Sequence, residues 1–248
     1  MTAHSTLYAA LVTAAILGFR HGFDYDHIAA ITDIVSVQPS RRLAMKLGMV
    51  YAFGHALTVA GLGAIVILLG VSLPAGIDRW AERLVGVTLI VLGVYVLGSL
   101  WLGSEETLPR SRYQLIHEAY HRARIAFRRR NAQGPVEAYV APSSFDFRSV
   151  FVIGVIHGLG AETPSQLMIF LLAANLGGPA LGMLGLGMFL AGLLLMNALM
   201  TASAAGVFGI SKRRPQLLRL VSALTAIYSL VMGVIFLTGY SSLLPGLT

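Results

Sequence analysis

Two imidazoles and two carboxylates stand within the seven residues His21-Gly22-Phe23-Asp24-Tyr25-Asp26-His27. Imidazole and carboxylate together make a ligand set for Ni, Co, Zn, Fe or Mn. The chain has no cysteine, which removes thiolate sites, a copper(I) carrier and disulfides together. On an ideal helix His21, Asp24 and His27 fall within an arc of about 120°. Asp26 falls outside that arc, so either it serves another purpose or the backbone leaves the helix near Gly22. Arg20 has no lone pair to offer a cation, and four residues before Asp24 it is read as the charge that orients that carboxylate.

A second group follows the same pattern. Ile156-His157-Gly158-Leu159-Gly160-Ala161-Glu162 repeats His-Gly-apolar with an acid five residues after the His. Pro164 removes a helical hydrogen bond and clashes with the carbonyl of Gly160, so a break is expected there. Without it, His157 and Glu162 cannot face one ion. His55 and Asn197 are further polar groups in apolar surroundings, each with an interhelical hydrogen bond as the plain alternative to a ligand role.

The elements that carry these residues are membrane spans. The 248 residues are 56% hydrophobic and only 12% charged, against about 25% charged in soluble domains. Six apolar runs approach or exceed the ~20 residues needed to cross a bilayer: Leu7–Val37, Leu47–Leu73, Leu84–Leu102, Ser149–Leu176, Leu181–Ile210 and Leu217–Tyr240. The fold class expected is therefore an all-α integral membrane protein of about six transmembrane helices. No Lys or Arg precedes Arg20, so the first run lacks the basic start of a cleavable signal and is read as a retained span. A charge at a helix centre costs about 2.5–3.5 kcal/mol on insertion scales. Arg20, Asp24, Asp26 and Glu162 at that depth are thus candidates for function rather than packing.

The net charge of +7 has a topological cause. Arg41, Arg42 and Lys46 follow the first run, eight arginines from Arg110 to Arg148 follow the third, and Lys212, Arg213, Arg214 and Arg219 follow the fifth. The alternate connections hold only Arg79 and Arg83, offset by Asp78 and Glu82. This alternation expects both termini outside the cell membrane and residues 103–148 in the cytoplasm. It leaves no case for nucleic acid as a partner; the partners expected are a divalent metal ion and the lipid bilayer.

Three runs on either side of the basic loop also bring the second half in from the opposite side. Leu47-Gly48-Met49 and Leu186-Gly187-Met188 add a second match between the halves. The expectation is one transporter domain, 1–248, built as an inverted 3+3 repeat of 1–102 and 149–248. In such folds the substrate site lies near the bilayer midplane.

One competing motif lies in the loop. His117-Glu118-Ala119-Tyr120-His121 matches H-E-x-x-H, the pattern of a zinc metalloprotease. It stands among arginines with no apolar flank to exclude water, and no third ligand is identified. A solvated helix is the preferred reading, with a membrane-bound protease and a non-transporting metal-binding subunit as alternatives. Neither lysine-bearing segment forms a G-x-x-x-x-G-K-[ST] phosphate loop, and no G-x-S-x-G appears, so no enzyme or resident cofactor is expected.

Arg20-His21-Gly22-Phe23-Asp24-Tyr25-Asp26-His27-Ile28 resembles the R-H-A-x-D-A-D-H-I signature of the nickel/cobalt transporter family. Phe53-Gly54-His55 resembles its L-G-H segment. Gly158 to Thr163 is similar to its L-G-F-D-T-A-T-E motif, with Glu162 in place of Asp and Gln166 in place of Glu, and Met196-Asn197 resembles M-D-T with Asn for Asp. The family usually has eight spans, so a shortened form is implied. The resemblance implies transport of Ni2+ or Co2+. With it, the expected metal residues are His21, Asp24, Asp26 and His27, joined by His55, His157 and Glu162.

Overall fold

The structure, a computed structural model, describes residues 3–70, 76–102, 146–160, 164–212, 214–240 and 244. Every regular element among them is an α-helix. The first apolar run, expected as one span, forms two helices: α1 over Ala3–His21 and α2 over Tyr25–Ser36. Then come α3 over Arg41–Leu69, α4 over Ile77–Leu102, α5 over Phe147–Gly160, α6 over Pro164–Ser211 and α7 over Pro215–Thr238. The His117-Glu118-Ala119-Tyr120-His121 motif lies outside the described residues, as does Glu162.

The breaks follow from local chemistry. Phe23 N donates to Arg20 O at 2.9 Å and Asp24 N to His21 O at 3.1 Å, a tight turn that ends α1. Asp24 then stands at the N-cap of α2 with extended backbone. Helix α5 ends at Gly160 and α6 opens on Pro164; residues 161–163, where the proline-linked break is expected, lie outside the described residues. Inside α6, Gly178 adopts φ 78° and ψ 175° just before Pro179, a conformation that glycine alone takes readily. Helix α3 starts from a Ser40 side chain that accepts from Leu43 N at 3.2 Å.

Four stretches are long and apolar enough to cross a membrane: Arg41–Leu69, Arg79–Leu100, Gly178–Ser211 and Pro215–Thr238. Leu7–His21 and Phe147–Gly160 are shorter apolar helices. Large apolar side chains such as Ile16, Leu57, Val94, Leu195 and Leu224 are exposed on the outside. A soluble surface does not tolerate such faces, whereas hydrocarbon does.

Glycines set the packing, because in lipid small residues let backbones approach. A Cβ on Gly22 of α1–α2 would meet Leu193 O at 3.0 Å and Met196 Cβ at 2.8 Å, and one on Gly18 would strike Phe189. Helix α1 therefore runs parallel to α6. Gly158 of α5 would meet His55 O and Thr58 Cβ, both at 2.7 Å, and Gly154 would strike Tyr51, so α5 runs parallel to α3. Gly48 faces Thr201 and Gly63 faces Leu186, which makes α3 and α6 antiparallel. Gly93 against Ala226 and Gly86 against Gly233 make α4 and α7 antiparallel too.

The short helix α2 is enclosed by α3, α4, α6 and α7. Ala29, Ala30, Ile31 and Ile34 on it are wholly buried. The Tyr228 hydroxyl of α7 donates to Tyr25 O at 3.3 Å, and the Lys212 ammonium donates to Gln38 O. Burial pushes that ammonium below the ordinary lysine range. The contact brings the α2–α3 connection, which Arg41 and Arg42 follow, and the basic α6–α7 connection to one end of the molecule.

Candidate metal centre

The turn after α1 decides which side chains converge. Asp24, as an N-cap, makes no side-chain bond to its own helix. Its Oδ2 instead lies 2.7 Å from His21 Nδ1. The reading of Arg20 as the orienting charge overlooked this neighbour. Asp26 Oδ1 lies 3.3 Å from His27 Nδ1 but makes no hydrogen bond to it. The His21 imidazole is thus backed by a carboxylate on Nδ1, the arrangement that fixes the tautomer and leaves Nε2 for a metal, while the Asp26 carboxylate stands beside His27 as a charge.

His55 joins from α3. Its Nε2 lies 3.3 Å from His27 Nε2. Either one ring donates to the other, or both lone pairs face a single point. At metal–nitrogen distances of about 2.0–2.1 Å, two ligands at a tetrahedral angle lie roughly 3.4 Å apart, so the pair has the separation an ion would impose. Ring centroids are 4.4 Å apart for His27 and His55, 5.1 Å for His21 and His27 and 5.6 Å for His21 and His55. His21, His27 and His55 bring one ligand atom each within 4.8 Å of one another, as do Asp24, Asp26 and His27. The three histidines are 3%, 0% and 0% exposed, which excludes a solvated surface cluster.

Asp26 is inside the group although an unbroken helix would turn it away. The break at Gly22–Asp24 is the reason, since it restarts the helical phase just before Asp26.

His157 stands further out. Its Nδ1 lies 3.6 Å from Asp26 Oδ2 and 3.0 Å from the Tyr51 hydroxyl, while its Nε2 lies 2.7 Å from Thr88 Oγ1. The Thr88 hydroxyl donates to Val85 O at 2.7 Å. Its one hydrogen is thereby used, so Nε2 of His157 donates to Thr88. His157 thus links α5 to α2, α3 and α4 around Asp26, one step outside the three histidines. Tyr51 and Thr88 went unnoticed in the sequence because nothing in their spacing marks them. Asp33, two helical turns after Asp26, is wholly buried on α2. Asn197 is wholly buried on α6.

No protein-family model matches the chain, and no solved structure does. Curated relatives do. The urease accessory protein UreH of Bacillus sp. (strain TB-90) is 24% identical over 228 residues, covering 92% of this chain and 90% of that protein. The cobalt transport protein NhlF of Rhodococcus rhodochrous is 26% identical over 179 residues, 66% of this chain and 49% of its own length. The nickel transporter NixA of Staphylococcus aureus (strain NCTC 8325 / PS 47) is 27% identical over 202 residues, 74% of this chain and 56% of its own length. The chain is similar to nickel and cobalt transporters. It spans about half the length of those two relatives and nearly all of the accessory protein. With its apolar helices, this similarity makes it an integral membrane protein.

Proposed function

We propose that this chain carries a divalent transition-metal cation, Ni2+ or Co2+, across the cell membrane, and that His21, His27 and His55 bind it. Asp24 and Asp26 hold the imidazoles and balance the charge of the ion. The observation that carries this is the enclosed three-histidine cluster, with two Nε2 atoms 3.3 Å apart, the Asp24 carboxylate on His21 Nδ1 and the Asp26 carboxylate beside His27. Imidazole and carboxylate suit these metals. The names of the nickel and cobalt relatives agree. His157 is left outside the ligand set in this scheme, because both its ring nitrogens are engaged by Tyr51 and Thr88. Glu162 is retained as a contributor from its place in the sequence alone.

The frame is an inverted 3+3 repeat, with each half contributing one broken span and two whole ones. The paired close approaches support it. Gly18 against Phe189 and Gly22 against Leu193 and Met196 match Gly154 against Tyr51 and Gly158 against His55 and Thr58, with one constant offset for each strand of the comparison. Gly93 against Ala226 matches Gly233 against Gly86. The ring contacts match too: His21 stacks on Phe189 at 5.7 Å where His157 meets Tyr51 at 5.5 Å. Antiparallel α3/α6 and α4/α7 are what inversion requires.

The test is metal flux into vesicles containing only the purified protein. Wild type should accumulate Ni2+ or Co2+, and folded His27→Ala or His55→Ala should lose at least about tenfold of the initial rate. Normal flux in both variants, or none in folded wild type under an imposed potential or pH gradient, would end the proposal.

A further inference from the structure

Helix α6 carries a buried stripe, Phe189, Leu193, Asn197 and Thr201, each with no exposed surface. Its members are about one turn apart. Phe189 stacks on His21, the Leu193 carbonyl faces Gly22 at the α1–α2 turn, and Thr201 faces Gly48 of α3. Asn197, between the last two, stands at the depth where α2 begins. It lies on the side of the histidine cluster that faces the Lys212–Gln38 end.

Among the described residues, neither the amide nitrogen nor the amide oxygen of Asn197 has a hydrogen-bond partner. Its neighbours solve the same problem within their own helix: Thr201 returns its hydroxyl to Asn197 O at 2.7 Å, and Ser36 returns its own to Asp33 O at 2.8 Å. A carboxamide that stays unpaired inside packed spanning helices loses water at both ends and gains nothing from the fold. Leucine of similar size would pack there without that loss.

We propose that the Asn197 amide oxygen is a further ligand of the transported cation, a station between the three histidines and the basic end. This rests on the transport function proposed above. An amide oxygen is a harder and weaker donor than imidazole for Ni2+ or Co2+. A station of that kind takes over part of the coordination sphere without trapping the ion, which suits a site that an ion has to leave. The residue then governs passage more than equilibrium affinity.

The absence of native cysteine makes the test direct. In proteoliposomes, Asn197→Cys introduces the sole thiol, and Co2+ should slow its modification by a small methanethiosulfonate about tenfold or more. Asn197→Leu should lower the initial Co2+ flux about tenfold while equilibrium Co2+ binding to the purified protein stays within about threefold, because the histidines remain. A folded Asn197→Leu protein with wild-type flux would overturn the proposal. So would a thiol at this position that Co2+ does not protect, including one that the reagent never reaches. If Asn197→Leu fails to fold, the thiol experiment decides alone. Wild-type protein that neither binds nor carries Co2+ would instead sink the transport function, and this proposal with it.

Discussion

Asp24 occupies an N-cap yet gives its carboxylate to His21. A satisfied cap contributes about 1 kcal/mol to a helix, so the residue forgoes local stability for the imidazole. Asp24→Asn keeps the shape and the capping ability but loses the charge on Nδ1. It should weaken Co2+ or Ni2+ binding about 10- to 100-fold with no loss of thermal stability. Titration calorimetry beside a melting curve would check this, and unchanged affinity would remove the carboxylate from the site. Protons compete with metal for imidazole, whose unperturbed pKa is about 6.5. Uptake should therefore fall as pH falls through that range under a fixed driving force, and a pH-independent rate would speak against histidine ligands.

At the scale of helices, close approach by glycine accompanies the meeting of His55 with His27 and of His157 with Asp26. Gly158 packs against His55 O and Thr58 with no space for a Cβ. Gly158→Leu should push α5 off α3 and cost about 1–3 kcal/mol by overpacking, read as a lower melting temperature and slower transport together. Gly206 faces open space, and Gly206→Ala should be neutral or gain up to about 1 kcal/mol from helix propensity. Equal effects of the two substitutions would mean that the close approach does not hold the bundle together.

The whole molecule has one basic end, where Lys212 reaches Gln38. Arg41, Arg42 and Lys46 adjoin the first of the two connections and Arg214 and Arg219 the second. By the positive-inside rule that end is expected in the cytoplasm. Reporter fusions should accordingly place both termini outside and residues 103–148 inside. A cytoplasmic amino terminus would break the inverted repeat and reverse the side to which the Asn197 station leads.

Composition and run length alone established a helical membrane protein, because hydrocarbon leaves the backbone few other choices. Residue type alone picked out His21, Asp24, Asp26 and His27, since ionisable groups at that depth have no cheap structural role. The sequence did not determine the path of the chain between His21 and Tyr25. Periodicity describes a straight helix, on which Asp26 points away; the turn that reverses this is held by Gly22 packing on Leu193 and Met196, which are remote in sequence. Tertiary packing likewise decided that His55 meets His27 edge to edge while His157 turns to Tyr51 and Thr88. A side chain's type states which bonds it can make, but the partner that arrives depends on which helices come close enough.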